Sequence, residues 1–447
     1  MSNVTAERAW PLDTEGMDWI PTGPGKSFRP LRFAEDGWSE LMRLEPGSVV
    51  GLHRHTGDVH AFNLSGTREI IGTGEIVGPG GYVYEPPGTI DIWGAVGDVP
   101  CVVHIKVTGA VEYLDDDGHV TETVNAQSQR AIYLRWCQQH NVKPAHAMTA
   151  MRASSSNPAS LVREMVPVPD VEPGELLVEV RATAITAQEL TWQETWPVIP
   201  CHDLSGVVAA TGPGVTGWRG GDQAYGLVGF DRPGAAAEYV TVPAADLAPK
   251  PPGISHAGAA AIPLGALTAW QALHEHAQLR PGQHVLVHGG GGVGCYAVQL
   301  AALAGARVTA TASARDSGAV ASLGAGEVLD YARGFADRVR DIDIVIDPVG
   351  GATMAESWQV LRPGGILVAI AESPPDDHGG RTDVRGVYFV VRPDGEQLRE
   401  LAALVGHQQL HPVVSDVFEL STLADAFRAQ RSRSAPGKVV VTVADTR

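Results

Sequence analysis

Two patterns of apolar and polar positions divide the chain. From about Phe28 to Tyr113, short segments such as GSVVGLHRHTG, HAFNLSGTREIIGTGE and VPCVVHIKVTGAVEYL alternate apolar with polar residues, and Gly, Pro and Asp separate them. Alternation with a period of two between turn residues is typical of antiparallel strands. The pattern predicts an all-β sandwich or barrel, closed by a short helix over residues 128–139.

The second half has a different pattern. It begins near Leu161 with strand-rich segments (LLVEVRATAIT, GVVAATG, AAEYVTVP), and from about His256 apolar strands alternate with helical segments such as VGCYAVQLAALAG. Repeated strand–helix units predict a parallel sheet covered by helices. The stretch between the halves, residues 141–158, is rich in Ala, Ser and His and is predicted to be a linker.

Composition excludes several classes of function. The 447 residues include 51 acidic and 33 basic side chains, a net charge of −18. Such a polyanion binds nucleic acids and anionic membranes poorly, so neither partner is expected, and a phosphate ligand must be held by local geometry. There is no apolar leader and no uninterrupted apolar stretch of about 18 residues, so we expect a soluble, cytoplasmic protein.

The cysteines do not indicate a disulfide framework or a structural zinc site. They lie far apart in the sequence, and none forms a CxxC pair; they are Cys101, Cys137, Cys201 and Cys295. Disulfide-rich domains and zinc clusters use closely spaced cysteines.

A glycine-rich segment predicts a dinucleotide site. The predicted strand His284–His288 runs directly into GGGGVGCYAVQLA, in which glycines 289, 291 and 294 match G-x-G-x-x-G at the start of a helix. Glycines let backbone N–H groups approach a pyrophosphate, and the helix N-terminus adds favourable partial charge. The residues expected to contact the cofactor here are Gly289, Gly291, Gly292, Val293 and Gly294.

The end of the next predicted strand favours NADP(H) over NAD. Sites for NAD usually carry an acidic residue there, whereas this chain has Ser313 and Arg315, with Asp316 following. A hydroxyl and a guanidinium suit a 2′-phosphate, and Tyr331 is expected to close the same pocket. The alternative is that Arg315 is only a solvated residue at a helix start.

Residues 161–443 resemble the medium-chain dehydrogenase/reductase family, in its zinc-free quinone-oxidoreductase branch. The matching segments include IPCHDLSGVV, GVTGWRGGDQAYG, LGALTAWQAL, HGGGGVGCYAVQLA, DPVGG, LRPGGILV and GKVVVTV. The resemblance implies a GroES-like catalytic domain (159–265 and 393–447) interrupted by a Rossmann domain (266–392). It also implies a cofactor in the cleft between them, near Gly350 of DPVGG, a small carbonyl or quinone substrate, and a homodimer.

The same resemblance predicts that this half lacks zinc. Zinc enzymes of the family bind the metal with a Cys near the end of the first long strand, a His in a GHE motif, and a third Cys or acid. Here Thr186 takes the first position, and His202 and Asp203 remain in PCHDLSG without an apparent third ligand. One imidazole is too few for a catalytic zinc site, so His202 is interpreted as a packing or hydrogen-bonding residue.

Candidate catalytic residues follow from the resemblance too. Thr186 and Glu189 stand where quinone-oxidoreductase relatives often have Asn and Asp, and Thr268 matches a position near the nicotinamide. Hydrogen-bond donors would then stabilise the charge that develops on a carbonyl oxygen. Trp192 and Trp196 are candidates for an apolar wall beside a planar substrate, or for simple packing.

The first half contains a histidine cluster, GLHRHTGDVH. His53 and His55 lie two apart on one predicted strand and therefore share a face, and His60 follows a turn. Imidazoles that converge inside a β-barrel suit Fe(II), Mn(II), Ni(II) or Zn(II). The alternative is a set of solvent-facing histidines.

The spacing of these residues resembles the cupin motifs, and most of all the acetylacetone and dihydroxyacetophenone dioxygenases. From Gly47 the pattern is G-x5-H-x-H, and from Gly80 it is G-x5-P-x-G-x-x-D. The resemblance implies a cupin barrel over residues 1–140, with the metal ligands His53, His55, His60 and Asp91. Counted back from Gly66, the position of the family's Glu falls on Val59, and His104 is an alternative ligand.

The predicted architecture is therefore multidomain: an all-β cupin barrel, a GroES-like β domain and an α/β Rossmann domain. The leading function is an NADPH-dependent quinone or enone reductase with a fused cupin. One alternative is a bifunctional enzyme whose cupin is a metal-dependent dioxygenase of a diketone or hydroxyketone. The other is a cupin metal or redox sensor joined to a module that only binds nucleotide.

Overall fold

The computed structural model describes residues 12–34, 36–140, 142, 144–145, 147–192, 195–432 and 435–443. These residues form two compact units that meet in sequence between Ala147 and Met148. No helix among the described residues has the length and apolarity that a membrane crossing requires.

The first unit consists of two facing β-sheets. Its strands are β1 (Ile20–Gly23), β2 (Lys26–Phe33), β3 (Gly37–Leu44), β4 (Val49–His55), β5 (Val59–Ser65), β6 (Thr67–Ile70), β7 (Glu75–Val77), β8 (Tyr82–Glu85), β9 (Ile90–Val96), β10 (Cys101–Thr108), β11 (Ala110–Leu114) and β12 (Val120–Asn125). One sheet has the order β1-β2-β3-β10-β5-β8 and the other β12-β11-β4-β9-β6-β7. Within the described residues no hydrogen-bonded strand pair joins the two sheets, so this is a sandwich without closure into a barrel.

The alternation of the strands places one set of side chains between the sheets. Trp38 and Val103 from one sheet pack with Val50 and Trp93 from the other. The helix expected at 128–139 is α1 (Ala126–His140), which packs with Ile20 and Phe28. Polar side chains at inward-facing positions of these strands are therefore buried between the two sheets as well.

The second unit begins with a β-ribbon and a mostly antiparallel sheet. The strands are β13 (Ala147–Arg152), β14 (Val162–Pro167), β15 (Glu175–Ile185), β16 (Asp203–Thr211), β17 (Gln223–Leu227), β18 (Tyr239–Pro243) and β19 (Leu247–Pro249), together with the late strands β26 (Val414–Glu419) and β27 (Lys438–Thr442). The sheet order is β19-β17-β16-β15-β27-β26, and β18 also pairs with β15. Strand β27 therefore returns the end of the chain to a position beside β15.

The parallel sheet lies between these segments in sequence. Its order is β22-β21-β20-β23-β24-β25, with β20 (His284–His288), β21 (Arg307–Ala312), β22 (Glu327–Asp330), β23 (Ile342–Asp347), β24 (Leu361–Ala369) and β25 (Arg385–Tyr388). The helices of this unit are α2 (His256–Ala260), α3 (Pro263–Trp270), α4 (Gly294–Leu303), α5 (Ser317–Ser322), α6 (Gly351–Val360), α7 (Gly395–Gly406) and α8 (Leu423–Ser432). Strands β20, β21 and β23 are buried on both faces, as the continuous apolar runs predicted.

The segment predicted as a linker is partly structured. Residues 147–152 form β13, which pairs with β14, and their side chains are almost all buried. The Ala and Met residues of AMTAMR look like linker composition, but Met148 and Ala150 are buried together with Ala237. Composition alone therefore did not separate a linker from a tightly packed strand.

The glycine-rich turn explains the geometry around β20 and α4. Gly289 has φ +81°, a value that side chains rarely tolerate. A Cβ on Gly294 would overlap the carbonyl oxygen of Gly289, so only glycine allows α4 to start this close to the strand.

We expect Gly294→Ala to destabilise the second unit by about 1–3 kcal/mol, because the added methyl meets backbone that cannot move aside. Urea unfolding followed by tryptophan fluorescence measures the change. Gly318→Ala in α5 is the matched control: it has open space around its Cβ position and should raise stability by about 0.4–1 kcal/mol. Equal unfolding midpoints for the two variants would contradict the packing argument.

Candidate active site and candidate metal centre

The predicted dinucleotide loop connects β20 to α4 at the carboxyl edge of the parallel sheet. The Gly289 N–H donates to the Thr311 carbonyl at 2.9 Å, which holds the loop against β21. Gly291 is buried, and Val293 is the last residue before α4. At Gly292 a Cβ would lie 2.8 Å from Cδ of Lys438, so the loop and the aliphatic part of this lysine lie against each other.

Gly350 lies at the same edge of the sheet, after the neighbouring strand β23. It has φ +77°, and its N–H donates to Asp347 Oδ1 at 2.9 Å. The Val349 N–H donates to the same oxygen at 2.9 Å, and burial raises the pKa of Asp347. Because β20 and β23 are parallel neighbours, their two terminal turns lie on the same side of the sheet.

The predicted 2′-phosphate residues are gathered around Asp316. The Ser313 hydroxyl donates to Asp316 Oδ2 at 2.8 Å, and Arg315 Nε donates to Asp316 Oδ1 at 3.0 Å. This hydrogen-bonded ion pair raises the pKa of Arg315, with a further contribution from Tyr331. Arg315 and Tyr331 are each about 60% exposed, so both reach solvent at the rim. Asp316, which the sequence analysis did not assign to the site, therefore binds Ser313 and Arg315, the two residues assigned to the 2′-phosphate.

A buried ion pair lies beside the dinucleotide loop. Lys438 Nζ is 2.8 Å from Asp203 Oδ2, and both side chains are at most 2% exposed. Nζ also donates to Thr186 Oγ1 at 2.8 Å, while Asp203 Oδ1 accepts the N–H of Leu264 at 2.7 Å. One cation thus connects the end of β15, the start of β16 and the start of β27.

Sequence reasoning missed Lys438 and gave Asp203 no role. Lys438 is the Lys of the final GKVVVTV segment, and Asp203 belongs to PCHDLSG. The two are 235 positions apart, and no local spacing connects them. A signal was available: a lone Lys next to an apolar run of valines is a candidate buried cation, which requires an acidic partner.

Glu189 supports the loop that carries Thr186. Its side chain is 2% exposed, and its two carboxylate oxygens accept the N–H groups of Thr186 at 2.9 Å and of Cys201 at 2.8 Å. Burial raises its pKa to about 7, against the opposing effect of these hydrogen bonds and of Lys438. Glu189 therefore holds the backbone behind Thr186.

Thr268 is buried in α3, and its hydroxyl donates to the Leu264 carbonyl one turn earlier, at 2.6 Å. Because the N–H of Leu264 donates to Asp203, Thr268 lies next to the buried pair of Lys438 and Asp203. The only hydroxyl proton of Thr268 is already used in the hydrogen bond to Leu264.

His202 and the tryptophans form an aromatic group nearby. The His202 ring is buried 5.0 Å from the ring of Phe230, and burial lowers its pKa. Trp192 contacts Phe230 edge-on at 5.6 Å and is 45% exposed, whereas Trp196 packs against the core. In the described part of residues 148–443, no three His, Cys, Asp or Glu side chains converge as metal ligands would.

Such a convergence does occur in the first unit. His53, His55 and Glu85 are all buried, and one ligand atom from each lies within 4.8 Å of the others. His53 Nδ1 is hydrogen-bonded to the Gly51 carbonyl at 2.7 Å, which leaves Nε2 to face the group. His55 Nε2 is 2.7 Å from Glu85 Oε2, but neither ring nitrogen of His55 has a hydrogen bond of acceptable geometry.

Asp91 borders this group. It pairs directly with His53 across β4 and β9, so the two side chains share a face. Its Oδ2 is buried without a hydrogen-bond partner, and burial, with the charge of Glu85, raises its pKa.

The structure replaces His60 by Glu85 in the predicted ligand set. His60 lies on the outer face of β5, exposed and hydrogen-bonded to the Tyr82 hydroxyl at 2.6 Å. His104 also faces outward, next to Ser39, at 2.9 Å. The two-residue period of a strand explains both: His60 follows the buried Val59 by one residue, and His104 the buried Val103.

Glu85 supplies a carboxylate close to the position at which the cupin resemblance expects a Glu. Val59 on β5 pairs directly with Glu85 on β8, so both side chains point into the core from adjacent positions. A carboxylate supplied from β8 therefore reaches the region that a Glu at position 59 would have occupied. The sequence did contain a signal for Glu85 as a ligand, because this residue directly precedes Pro86 of the second motif.

These residues fit a divalent metal. Two imidazoles and the Glu85 carboxylate converge, with Asp91 at the border of the group, and unpartnered atoms on His55 and Asp91 are costly in a core unless something binds them. Such a donor set suits Fe(II), Mn(II), Ni(II) or Zn(II).

A second acidic group, formed by Asp115, Asp117 and His119, lies in an exposed turn where Asp115 accepts backbone N–H groups of the other two residues.

The chain matches known families along most of its length. A model described as a ChrR cupin-like domain matches residues 8–96, one for the alcohol dehydrogenase GroES-like domain matches 172–252, and one for a zinc-binding dehydrogenase matches 323–441. These matches agree with the expected fold classes.

Similar proteins cover the second unit. A probable zinc-binding oxidoreductase, mitochondrial, of Arthroderma benhamiae is 30% identical over 62% of this chain and 91% of its own length. An NADPH-dependent alkenal/one oxidoreductase, chloroplastic, of Arabidopsis thaliana is 32% identical over 61% and 73%. The quinone oxidoreductase from Coxiella burnetii has a solved structure that matches with a TM-score of 0.61 at 28% identity, over 67% of this chain and all of that one. The chain therefore belongs to the medium-chain dehydrogenase/reductase family of oxidoreductases, and a ChrR cupin-like domain precedes its dehydrogenase part.

Proposed function

We propose that the second unit is an NADPH-dependent reductase of quinones or enones that works without zinc. The observation that carries this proposal is the contact between Lys438, Thr186 and the dinucleotide loop at Gly292. Lys438 connects the two, and this supports a polarised hydroxyl near the loop expected to hold the cofactor. Of the positions at which zinc relatives have their ligands, the first holds Thr186 and the second retains His202, and the neighbouring Asp203 already neutralises Lys438.

The hydroxyl of Thr186 is suited to stabilise a developing oxyanion. Because Oγ1 accepts a hydrogen bond from Lys438 Nζ, the hydrogen of its own O–H group must point elsewhere, and no described residue accepts it. A charged donor behind a hydroxyl strengthens the hydrogen bond that the hydroxyl gives. Thr186 is partly exposed while Lys438 is buried, so a substrate carbonyl would meet the hydroxyl and not the ammonium group.

A bound nicotinamide supplies the hydride. In the proposed reaction an enone accepts the hydride at its β-carbon, and the negative charge moves to the carbonyl oxygen, where Thr186 donates a hydrogen bond. A proton from solvent then completes the saturated ketone. Glu189 keeps Thr186 in place through the backbone, and Trp192 with Phe230 offers an apolar wall for a planar substrate.

The relatives support this substrate class. The similar Arabidopsis thaliana protein is described as acting on alkenals and enones with NADPH, and the Coxiella burnetii structure as a quinone oxidoreductase. The preference for NADP(H) rests on Ser313 and Arg315. An exposed ion pair such as Arg315–Asp316 is worth at most about 1 kcal/mol, so a 2′-phosphate can displace the acid.

We expect the purified chain to oxidise NADPH when quinones or enones are added, with the same rate after treatment with EDTA. Thr186→Val should lower kcat by about 100-fold, because the donor to the oxyanion is lost. Thr191→Val is the matched control, since that hydroxyl donates to the Gln188 carbonyl within the same loop. Absorbance at the NADPH band measures all three rates.

An unchanged kcat for Thr186→Val would remove the role given to that hydroxyl. Absence of both NADPH binding and NADPH oxidation would refute the reductase itself.

The 2′-phosphate assignment predicts opposite effects of two neighbouring substitutions. Arg315→Glu should raise the Kd for NADPH at least about tenfold and leave that for NADH nearly unchanged, whereas Asp316→Asn should lower the Kd for NADPH, because it removes a like charge. Arg340→Glu, an equal change of charge in another exposed Arg–Asp pair, is the control. Fluorescence titration with both cofactors decides, and a parallel change for NADPH and NADH would exclude a phosphate contact.

We propose a second function for the first unit, a divalent metal centre held by His53, His55, Glu85 and Asp91. The support is the buried convergence of three of these side chains and the unpartnered oxygen of the fourth. The metal would act as a Lewis acid or bind O₂ when the domain is a dioxygenase of a diketone or hydroxyketone. The chain's own part includes a neutral imidazole at His53, since burial lowers the pKa of that ring.

Metal content should depend on Glu85 and not on His60. After loading with Fe(II) and removal of excess metal, Glu85→Gln should retain at least about tenfold less metal than the parent, because a charged ligand is lost. His60→Ala should bind as the parent does, since that ring lies on the outer face. Elemental analysis gives the stoichiometry. Loss of metal in the His60 variant alone, or its absence from the parent, would refute the proposed set.

A further inference from the structure

Arg68 is a buried cation in the core of the first unit. It lies on β6 opposite Ala95 of β9, so it shares the inner face with Trp93 and Asp91 of β9. The side chain is 1% exposed, and its guanidinium carbon lies 4.8 Å from the centre of the Trp93 ring. Neither the predicted cupin motifs nor the proposed metal ligands include it.

The hydrogen-bonding groups of this arginine are largely unused. Its Nε and Nη2 are both buried and have no hydrogen-bond partner, and no acidic side chain among the described residues forms an ion pair with it. An arginine stays protonated in a protein core, so these donors carry positive charge. Contact with Trp93 replaces part of the lost hydration, but an aromatic ring does not satisfy N–H donors directed along the guanidinium edge.

Strand pairing brings Arg68 to the inner face that carries the proposed metal ligands, because β6 pairs with β9, and Asp91 of β9 pairs in turn with His53 of β4. The charge of Arg68 interacts with those of Glu85 and Asp91, and it lowers the pKa of both carboxyls. Carboxylates that bind a metal are deprotonated, so the bound forms of Glu85 and Asp91 together with Arg68 carry a net charge of −1. A divalent metal changes this to +1, and a single monoanion would restore neutrality in a region where uncompensated charge is costly.

The geometry of the unpaired donors selects the kind of anion. Nε and Nη2 form one edge of the guanidinium plane, where two parallel N–H groups match the two oxygens of a carboxylate.

We propose that Arg68 anchors a small monocarboxylate inside the cupin-like domain, beside the metal held by His53, His55 and Glu85. This inference rests on the proposed metal centre, because the metal supplies the charge that the anion balances. The ligand class is an organic acid whose carboxylate is bound by Arg68.

Acetate is the probe, and acetamide is its neutral control of the same shape. Calorimetric titration of the full chain loaded with Co(II) should show binding of acetate at least tenfold tighter than binding of acetamide, and the visible Co(II) absorption should change with acetate. The metal-free chain should bind acetate at least tenfold more weakly.

Two variants of Arg68 and one matched control complete the test. Arg68→Met should weaken acetate binding at least tenfold while the Co(II) content remains that of the parent. Arg68→Lys keeps the charge but not the paired donors, should fall between the two, and serves if the Met variant does not fold. Arg54→Met should bind acetate as the parent does, because that guanidinium is paired with Glu112.

Equal affinities for acetate and acetamide, or unchanged acetate binding in Arg68→Met, would overturn the anion site while leaving the metal centre intact. Failure of the parent chain to hold Co(II) would instead overturn the metal centre, and with it the charge balance on which the anion depends.

Discussion

The buried pair of Lys438 and Asp203 is the interaction on which the second unit depends most. Lys438 comes from the last strand, Asp203 from the second strand of the same sheet, and the aliphatic part of the lysine lies against the dinucleotide loop. Removing one partner of such a pair leaves an uncompensated charge and costs about 3–5 kcal/mol. Attraction between the two charges therefore fixes the returning strand and the orientation of Thr186 together.

In the proposed reaction, this arrangement takes the role that the metal has in a zinc enzyme. In a zinc enzyme the metal polarises the carbonyl oxygen, and here the charge is placed one atom further away, behind a hydroxyl. Asp203 prevents the ammonium group from being an isolated buried charge, and Glu189 holds the Thr186 backbone at the required position. Positioning by buried charges and backbone hydrogen bonds requires no reorganisation during the reaction.

In the first unit, the two acidic residues among the proposed metal ligands are brought to the histidines by strand pairing and not by their spacing in the sequence. The family Glu is absent because Val59 occupies its position, yet the carboxylate of Glu85 enters the core from the adjacent strand. Asp91 reaches the same group by pairing with His53. A ligand can thus come from a cross-strand neighbour, since directly opposed Cβ atoms lie about 5 Å apart, a distance that a long side chain such as Glu can span.

The sequence by itself determined the order of the fold classes, the parallel sheet with its glycine turn, and the histidine pair at 53 and 55. These features follow from local periodicity and from spacings of a few residues, which the chain carries in its letters. Tertiary structure alone decided that Lys438 meets Asp203, that Asp316 engages Arg315 and Ser313, and that Glu85 and not His60 joins the histidines. The physical reason is that a strand presents alternate residues to opposite faces, and long-range pairing selects which faces meet, so contacts between distant strands leave no trace in local spacing.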